Sequence, residues 1–250
     1  MARFDTAADI INQAASECGL TAVTDPFASA DPAFIQLRNI LTSAGQEMVG
    51  AHEWQKLIKE HEIVFGTTVP PDPAFPNRFD LPDDFAWIID QTGWTPTNAG
   101  MGLPLGGPLT PQDWTYLVAT NLANSTIYVS IRQAQGQLWV LPDPPPDGTE
   151  VTFEYVNRNW VETAAGVFQD NVSASDDIVL FEPILIKKFL KLRYREAKGF
   201  DTSAALTQFA NAFMQWTGKD VTAPVLSMAR NRVFPYLSWR NVPQTNFGLP

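Results

Sequence analysis

The stretch TIYVSIRQAQGQLWVLPDPPPDGTEVTFEYV, residues 126–156, decides the fold class. Ile127, Val129 and Ile131 alternate with Tyr128, Ser130 and Arg132. This period of two turns one face of a strand inward and the other to water. Ala134–Gln137, with Gly136 inside it, reads as a turn, and Leu138–Leu141 as the returning strand. PDPPPDG, 142–148, reads as a rigid loop because its prolines fix φ and remove backbone donors. Val151–Val156 alternates once more and runs towards Trp160. Three strands with short connections predict an antiparallel meander.

Working outward, the period changes to that of helices. Residues 6–18 predict a helix capped by Asp5 or Thr6 and ended by Gly19, with Ile10, Ile11, Ala14 and Cys18 on one face. Residues 31–54 predict a longer one, with Asp31 as cap and Pro32 at the first helical position. Its stripe is Phe34, Leu37, Leu41, Ala44, Met48 and Ala51. Gly45 and Gly50 weaken that helix, which points to close approach of another helix at each. Residues 61–68 and 79–85 read as strands around a proline-rich loop, and 86–94 as an apolar run. A flexible Gly/Pro loop, 95–109, leads to a short helix from Thr110 to about Thr120. Residues 163–179 read as a polar loop. Pro183 to Lys198 and Asp201 to Thr217 predict two more helices, closed by Gly199 and Gly218. The stripe of the last is Leu206, Phe209, Ala210, Phe213 and Trp216.

The predicted fold class is therefore α+β. An antiparallel bundle of about four main helices, from 1–60 and 180–220, has an antiparallel β region inserted at 61–179 and an extended C-terminal arm at 221–250. With 45% hydrophobic and 18% charged residues, the chain has material for a sizeable core and does not read as disordered. No run of 18 apolar residues occurs, so no transmembrane helix is expected, and MARFDTAADI does not read as a signal peptide. The single cysteine, Cys18, excludes an internal disulfide.

The net charge of −10 is unevenly spread. Residues 1–185 hold 7 Lys and Arg against 24 Asp and Glu, whereas 186–250 hold 10 against 3. An acidic body repels nucleic acid, whose binding needs cations that displace counterions. Opposite charge at the two ends favours copies packing against one another.

Signals for chemistry are sparse. His52 and His61 are nine residues apart with no cysteine beside them, which is not a metal-ligand spacing. GMGLPLGG, 100–107, lacks the Lys-Ser/Thr of a phosphate loop and contains Pro104. Asp83 with Asp84, or Glu150 with Glu154, are the pairs of carboxylates that a glycoside hydrolase would need. Adjacent aspartates after Leu81-Pro82 are also ordinary turn chemistry, and the two glutamates share one wet strand face. The reading is of a chain with no catalytic residues, no cofactor and no metal.

Two features point to partners. Lys187, Lys188, Lys191, Arg195 and Lys198 form a basic stripe on one helix. It could face DNA, pair with the acidic body of a neighbouring copy, or be a solvated side. Residues 221–250 have neither period but carry Arg230, Arg232, Phe234, Tyr236, Trp239 and Phe247. Such an arm orders on a partner or folds back on its own domain; a purely polar tail would read as disorder.

Several stretches together resemble one family. They are AADIINQAASECGL (7–20), MVGAHEW (48–54), FDLPDDF (79–85), QLWVLPDPPPDGTEVTFEY (137–155), the helix pair EPILIKKFLKLRYREAKGF and LTQFANAFMQW (182–216), and VPQTNFG (242–248). In order and spacing the chain is similar to the head-to-tail connector, or adaptor, proteins of short-tailed bacteriophages, of the tail tubular protein A type. The resemblance implies a structural virion protein made in the host cytoplasm. It would form a ring, dodecameric in the family, between the portal protein and the tail nozzle protein. Double-stranded DNA would pass through its channel during genome ejection without specific binding, and no membrane is involved. It also implies that the arm docks on neighbouring ring proteins. A tail-associated module that binds a glycan or a tail protein through Trp139 and Tyr155 is the alternative, with a cell-wall hydrolase behind it.

Overall fold

The computed structural model describes residues 4–95, 102–120 and 129–220. These residues form a mixed α+β structure with five α-helices and three small antiparallel sheets.

Helix α1, Ala7–Glu17, starts where Thr6 Oγ1 accepts from the Asp9 N–H at 3.2 Å and donates to the Asp9 carboxylate at 2.8 Å. It closes at Gly19, in the left-handed region at φ +81°, whose N–H and that of Leu20 reach back to Ser16 and Ala15 carbonyls. Helix α2, Pro32–Ala51, uses the predicted cap: Asp31 Oδ1 accepts from the Ala33 N–H at 2.9 Å. Phe34, Leu37, Leu41, Ala44 and Met48 are buried, but Ala51 is exposed and the helix ends there instead of at 54.

The second pair follows the sheets. Helix α4, Pro183–Ala197, packs on α1, α2 and α5, and Leu185, Ile186 and Leu190 are fully buried among them. Each such side chain contributes about 1.5–3 kcal/mol over leaving it exposed. Gly199, at φ +72°, ends α4 with the same carbonyl-capping pattern as α1. Helix α5, Ser203–Asp220, runs through Gly218 instead of stopping there. Its inner line is Ala205, Phe209, Ala212, Phe213 and Trp216, so Leu206 and Ala210 point outward, contrary to the predicted stripe. Bulk alone does not reveal that two alanines are the most buried residues of this helix.

Trp160 joins the helices to the sheets. Its ring is fully buried, stacks on Phe181 at 5.7 Å, and donates its N–H to the Asp170 carbonyl at 2.9 Å. A Cβ on Gly45 would lie 2.1 Å from that ring, so this glycine admits an indole and not another helix. Gly50 has open space and no close neighbour.

The strands do not form one meander. Strand β1, Ile58–Val64, pairs along its length with β8, Glu150–Asn157, from Ile58 opposite Val156 to Val64 opposite Glu150. β3, Phe85–Ile88, and β4, Trp94–Thr95, pair with the other edge of β8, and β5, Leu103–Pro104, pairs with β4. A second sheet places β7, Gln137–Leu141, between β2, Arg78–Asp80, and β6, Ser130–Ala134. The predicted β6–β7 hairpin is present, with Gln135 and Gly136 both at positive φ in its turn. The proline loop after β7 carries the chain away from that hairpin, and β8 finds its long partner in β1, which begins three residues before the predicted 61. The two sheets face each other across Ile63, Phe65, Val151, Phe153 and Tyr155 from one and Phe79, Val129, Ile131, Leu138 and Val140 from the other.

The glycines at 106 and 107 tie the sheets together, which corrects the flexible-loop reading of this part of the 95–109 segment. Gly106 and Ile131 donate to the carbonyls of Val129 and Gly106, each at 2.8 Å. A Cβ on Gly107, at φ +132°, would meet the Ile131 carbonyl at 2.4 Å. Helix α3, Pro111–Thr120, follows and packs Trp114 on Leu141.

Residues 163–179 are more ordered than a polar loop. β9, Val161–Glu162, pairs with β10, Phe168–Gln169, and β11, Ile178–Val179. The Asp177 carboxylate, 1% exposed, accepts from the N–H groups of Ser173 and Ala174, the Ser173 hydroxyl and the Gln169 amide. Its own carbonyl accepts from the N–H of Ala7, which fixes the start of α1.

The two glycines of α2 have opposite expected effects. Gly45→Ala gains helix propensity but drives a methyl into Trp160, and overpacking of this kind costs about 1–3 kcal/mol. Gly50→Ala meets nothing and is expected to stabilise by about 0.5 kcal/mol. Chemical denaturation of the two variants beside the parent measures both signs.

Candidate interaction surfaces

The predicted basic stripe divides in two. Lys187 pairs with Asp5 and Lys191 Nζ lies 2.7 Å from Glu17 Oε2, both largely covered, so these two lysines fasten α4 to the ends of α1. They are not a free surface, because the acidic partners sit just before the start and at the end of the helix that α4 is packed against. Lys188 and Arg195 are half-buried, and Lys198 is exposed with Nζ 5.3 Å from the Tyr194 ring centre. Arg193, absent from the predicted stripe, pairs with Glu47 of α2 and with Glu196. Arg230, Arg232, Phe234, Tyr236, Trp239 and Phe247 lie outside the described residues.

The end of α5 is tied to the segment just before β1. Asp220, the last residue of α5, accepts from the N–H of Gln55 at 2.9 Å and lies 3.7 Å from His52 Nε2. Trp216 and Lys219, stacked at 4.3 Å, border a small cleft with Trp54 and Phe181. Leu206, Ala210 and Met214 lie at intervals of four along the outer face of α5, with Leu206 54% and Met214 72% exposed. Ile184 and Phe200 add exposed apolar surface at the two ends of α4.

The two facing sheets have unlike outer sides. On the β1–β8 sheet, Glu60 stands directly opposite Glu154, Glu62 opposite Thr152, and Glu150 opposite Val64. Trp94, 48% exposed, is paired with Thr152 and borders the same shallow cleft as Glu60 and Glu154. On the other sheet, Arg78 and Arg132 occupy the outward positions on both sides of Trp139. Their guanidinium carbons lie 4.1 Å and 5.1 Å from the indole centre, and Arg78 also stacks on Phe75 at 3.6 Å. Trp114 of α3 packs against the same indole at 5.8 Å. Tyr155, which the glycan-binding alternative needs at the surface, is 3% exposed and points between the sheets.

The candidate carboxylates have structural surroundings. Asp84 accepts from Lys59 Nζ at 2.6 Å and from the Tyr155 hydroxyl at 2.9 Å. Burial raises its pKa, but those two hydrogen bonds and the lysine charge outweigh burial and hold the carboxyl below its usual range. Burial, with the Asp84 hydrogen bond and charge, pushes the Tyr155 phenol well above its ordinary value. Asp83 is exposed. Glu150 and Glu154 lie four residues apart on one strand, with α-carbons about 13 Å apart. His61 is half-buried on β1 at the edge of Phe153, and burial lowers its pKa below the ordinary 6.5 against the opposing charge of Asp84. Among the described residues no group of three His, Cys, Asp or Glu is placed to hold a metal ion, and no helix is long and apolar enough to cross a membrane.

The chain matches no protein-family model and no curated protein sequence.

Sequence reasoning missed Arg78, Trp94 and the glutamate opposition. The outward position of Arg132 follows from strand alternation, but its neighbour across the sheet does not.

Lys187→Ala is expected to lower stability by about 1 kcal/mol, since it leaves Asp5 unpaired at a largely covered contact, whereas Lys188→Ala stays within about 0.5 kcal/mol of the parent. Thermal melting of both variants checks the division of the stripe. The folded state binds a proton at His61 less readily than the unfolded chain does. Its contribution is therefore full above pH 6.5 and falls as pH drops through that value. Asp84 keeps its contribution until pH falls below the ordinary 3.8. Denaturant midpoints at about pH 7.5 and about pH 5 should differ in the parent and converge in His61→Phe.

Proposed function

We propose that the chain is a non-enzymatic structural subunit of a short-tailed bacteriophage virion. In this reading it is a head-to-tail adaptor whose copies form a ring, dodecameric as the resemblance implies, between the portal protein and the tail nozzle protein. The ring leaves a channel for double-stranded DNA. The helices before and after the strands form its bundle, the β region is an insertion, and 221–250 is the arm that grips a neighbouring ring.

The observation that carries this reading is the uncovered apolar line on α5. Leu206 and Met214 remain exposed on the outside of a helix whose other face is already packed, directly before the segment assigned to partner binding. A helix with apolar residues on both sides has a second surface to bury. The uneven charge supports the same reading, since ring closure needs two different faces on each copy. The acidic body suits a channel past which DNA slides.

The test is electron microscopy of the full-length protein mixed with its portal protein. Rings with a central hole, seated on the portal, are the expected result; a chain that remains a monomer beside the portal overturns the reading. A chain ending at Asp220 is expected to leave filled heads without tails, and normal joining by that truncated chain removes the role given to the arm.

A further inference from the structure

The two sheets pack through their inner sides; the outer side of one carries glutamates, and the outer side of the other, which α3 partly covers at Trp114, carries half-buried arginines. Only four cations occur between residues 57 and 186, namely Lys59, Arg78, Arg132 and Arg158. Two of these four flank one indole. Neither Arg78 nor Arg132 has a carboxylate within ion-pair distance or donates a hydrogen bond among the described residues. Asp80, the nearest acid along that strand, is engaged by the Gln137 amide at 3.0 Å. Stacking on Trp139 and Phe75 restricts the guanidinium planes while leaving their N–H edges free to meet carboxylates.

The opposite side has the complementary defect. Glu60 and Glu154 face each other directly across adjacent strands, an arrangement that repels. Glu62 extends the same surface, and none of the three glutamates has a cation within ion-pair distance among the described residues. Beside them Trp94 presents an exposed aromatic ring.

We infer that these two sides meet between copies: the Arg78–Trp139–Arg132 surface of one chain docks on the Glu60–Glu154 surface and Trp94 of the next. The contact joins two different surfaces, so it propagates head to tail and closes where the rotation allows. It rests on the reading of the chain as one copy in a ring, and it names the surfaces through which the copies touch. Each side relieves the other: the guanidiniums gain carboxylates, and the opposed glutamates lose their repulsion.

A charge exchange tests this contact. Arg78→Glu with Arg132→Glu gives a chain with two acidic sides, and Glu60→Lys with Glu154→Lys gives one with two basic sides. Sedimentation of the full-length wild type at low salt is expected to show self-association that weakens as salt screens the contact. Each double variant alone should associate at least roughly tenfold more weakly, and an equal mixture of the two should recover wild-type association, because every contact is then again acid against base. Variants that associate as the wild type does overturn this contact while leaving the ring reading intact. So does a mixture that does not recover. A wild type that stays monomeric up to about 100 µM also overturns it, and the portal mixture then decides the ring reading separately. Should the arginine variant fail to fold, the variant at the exposed glutamates decides by itself: undiminished association sinks the contact.

Discussion

The indole of Trp160 lies against the backbone of α2 at Gly45, and the helical core depends on that close approach. The ring occupies space that any side chain at position 45 would claim. It also stacks on Phe181, two residues before α4. Because the sheet segment β8 runs into Trp160 and α4 follows Phe181, this one contact sets how the strands meet the helices. Helix α4 then receives α1, α2 and α5 on its apolar side, and the pairs Lys187–Asp5 and Lys191–Glu17 align it with α1. Removal of apolar surface provides the energy, and the glycine and the ion pairs select one arrangement of the helices.

The β region obeys a different constraint. Two small sheets share one core, so each strand residue that points away from it is available to something else. In most positions that is water. The exceptions are concentrated: glutamates opposed across β1 and β8, arginines on either side of Trp139, and a half-exposed Trp94. On the helical side the outer line of α5 is the corresponding exception. The proposed role of an adaptor subunit requires the chain to hold its own fold together and still keep distinct surfaces for its neighbours. Division of the lysines between the internal pairs of Lys187 and Lys191 and the half-buried Lys188 and exposed Lys198 fits that requirement.

Some of this fold is legible in the sequence. Caps at Thr6 and Asp31, closure at Gly19 and Gly199, and the hairpin turn at Gln135-Gly136 depend on the conformations of a few neighbouring residues, and all were read from local chemistry. The buried faces of α1 and α2 followed from spacing. The carboxylate of Asp177 lies inside a segment that reads as a polar loop, because its four hydrogen-bond donors come from Gln169 of β10 and from Ser173 and Ala174, and composition does not reveal that these close around it. Gly106 read as loop flexibility, although it pairs with β6 across two sheets.

The sequence by itself determined the α+β class, the extents of most helices, the hairpin and the uneven charge. These are properties of neighbouring residues and of totals, which need no knowledge of the fold. Tertiary structure alone decided that β8 pairs with β1 and not with the hairpin, that α5 buries alanines and exposes Leu206 and Met214, and that Arg78 and Arg132 share one indole. Such pairings join positions tens of residues apart. They are settled by which surfaces can be brought together without clash or unpaired backbone groups, and local periodicity carries no record of that.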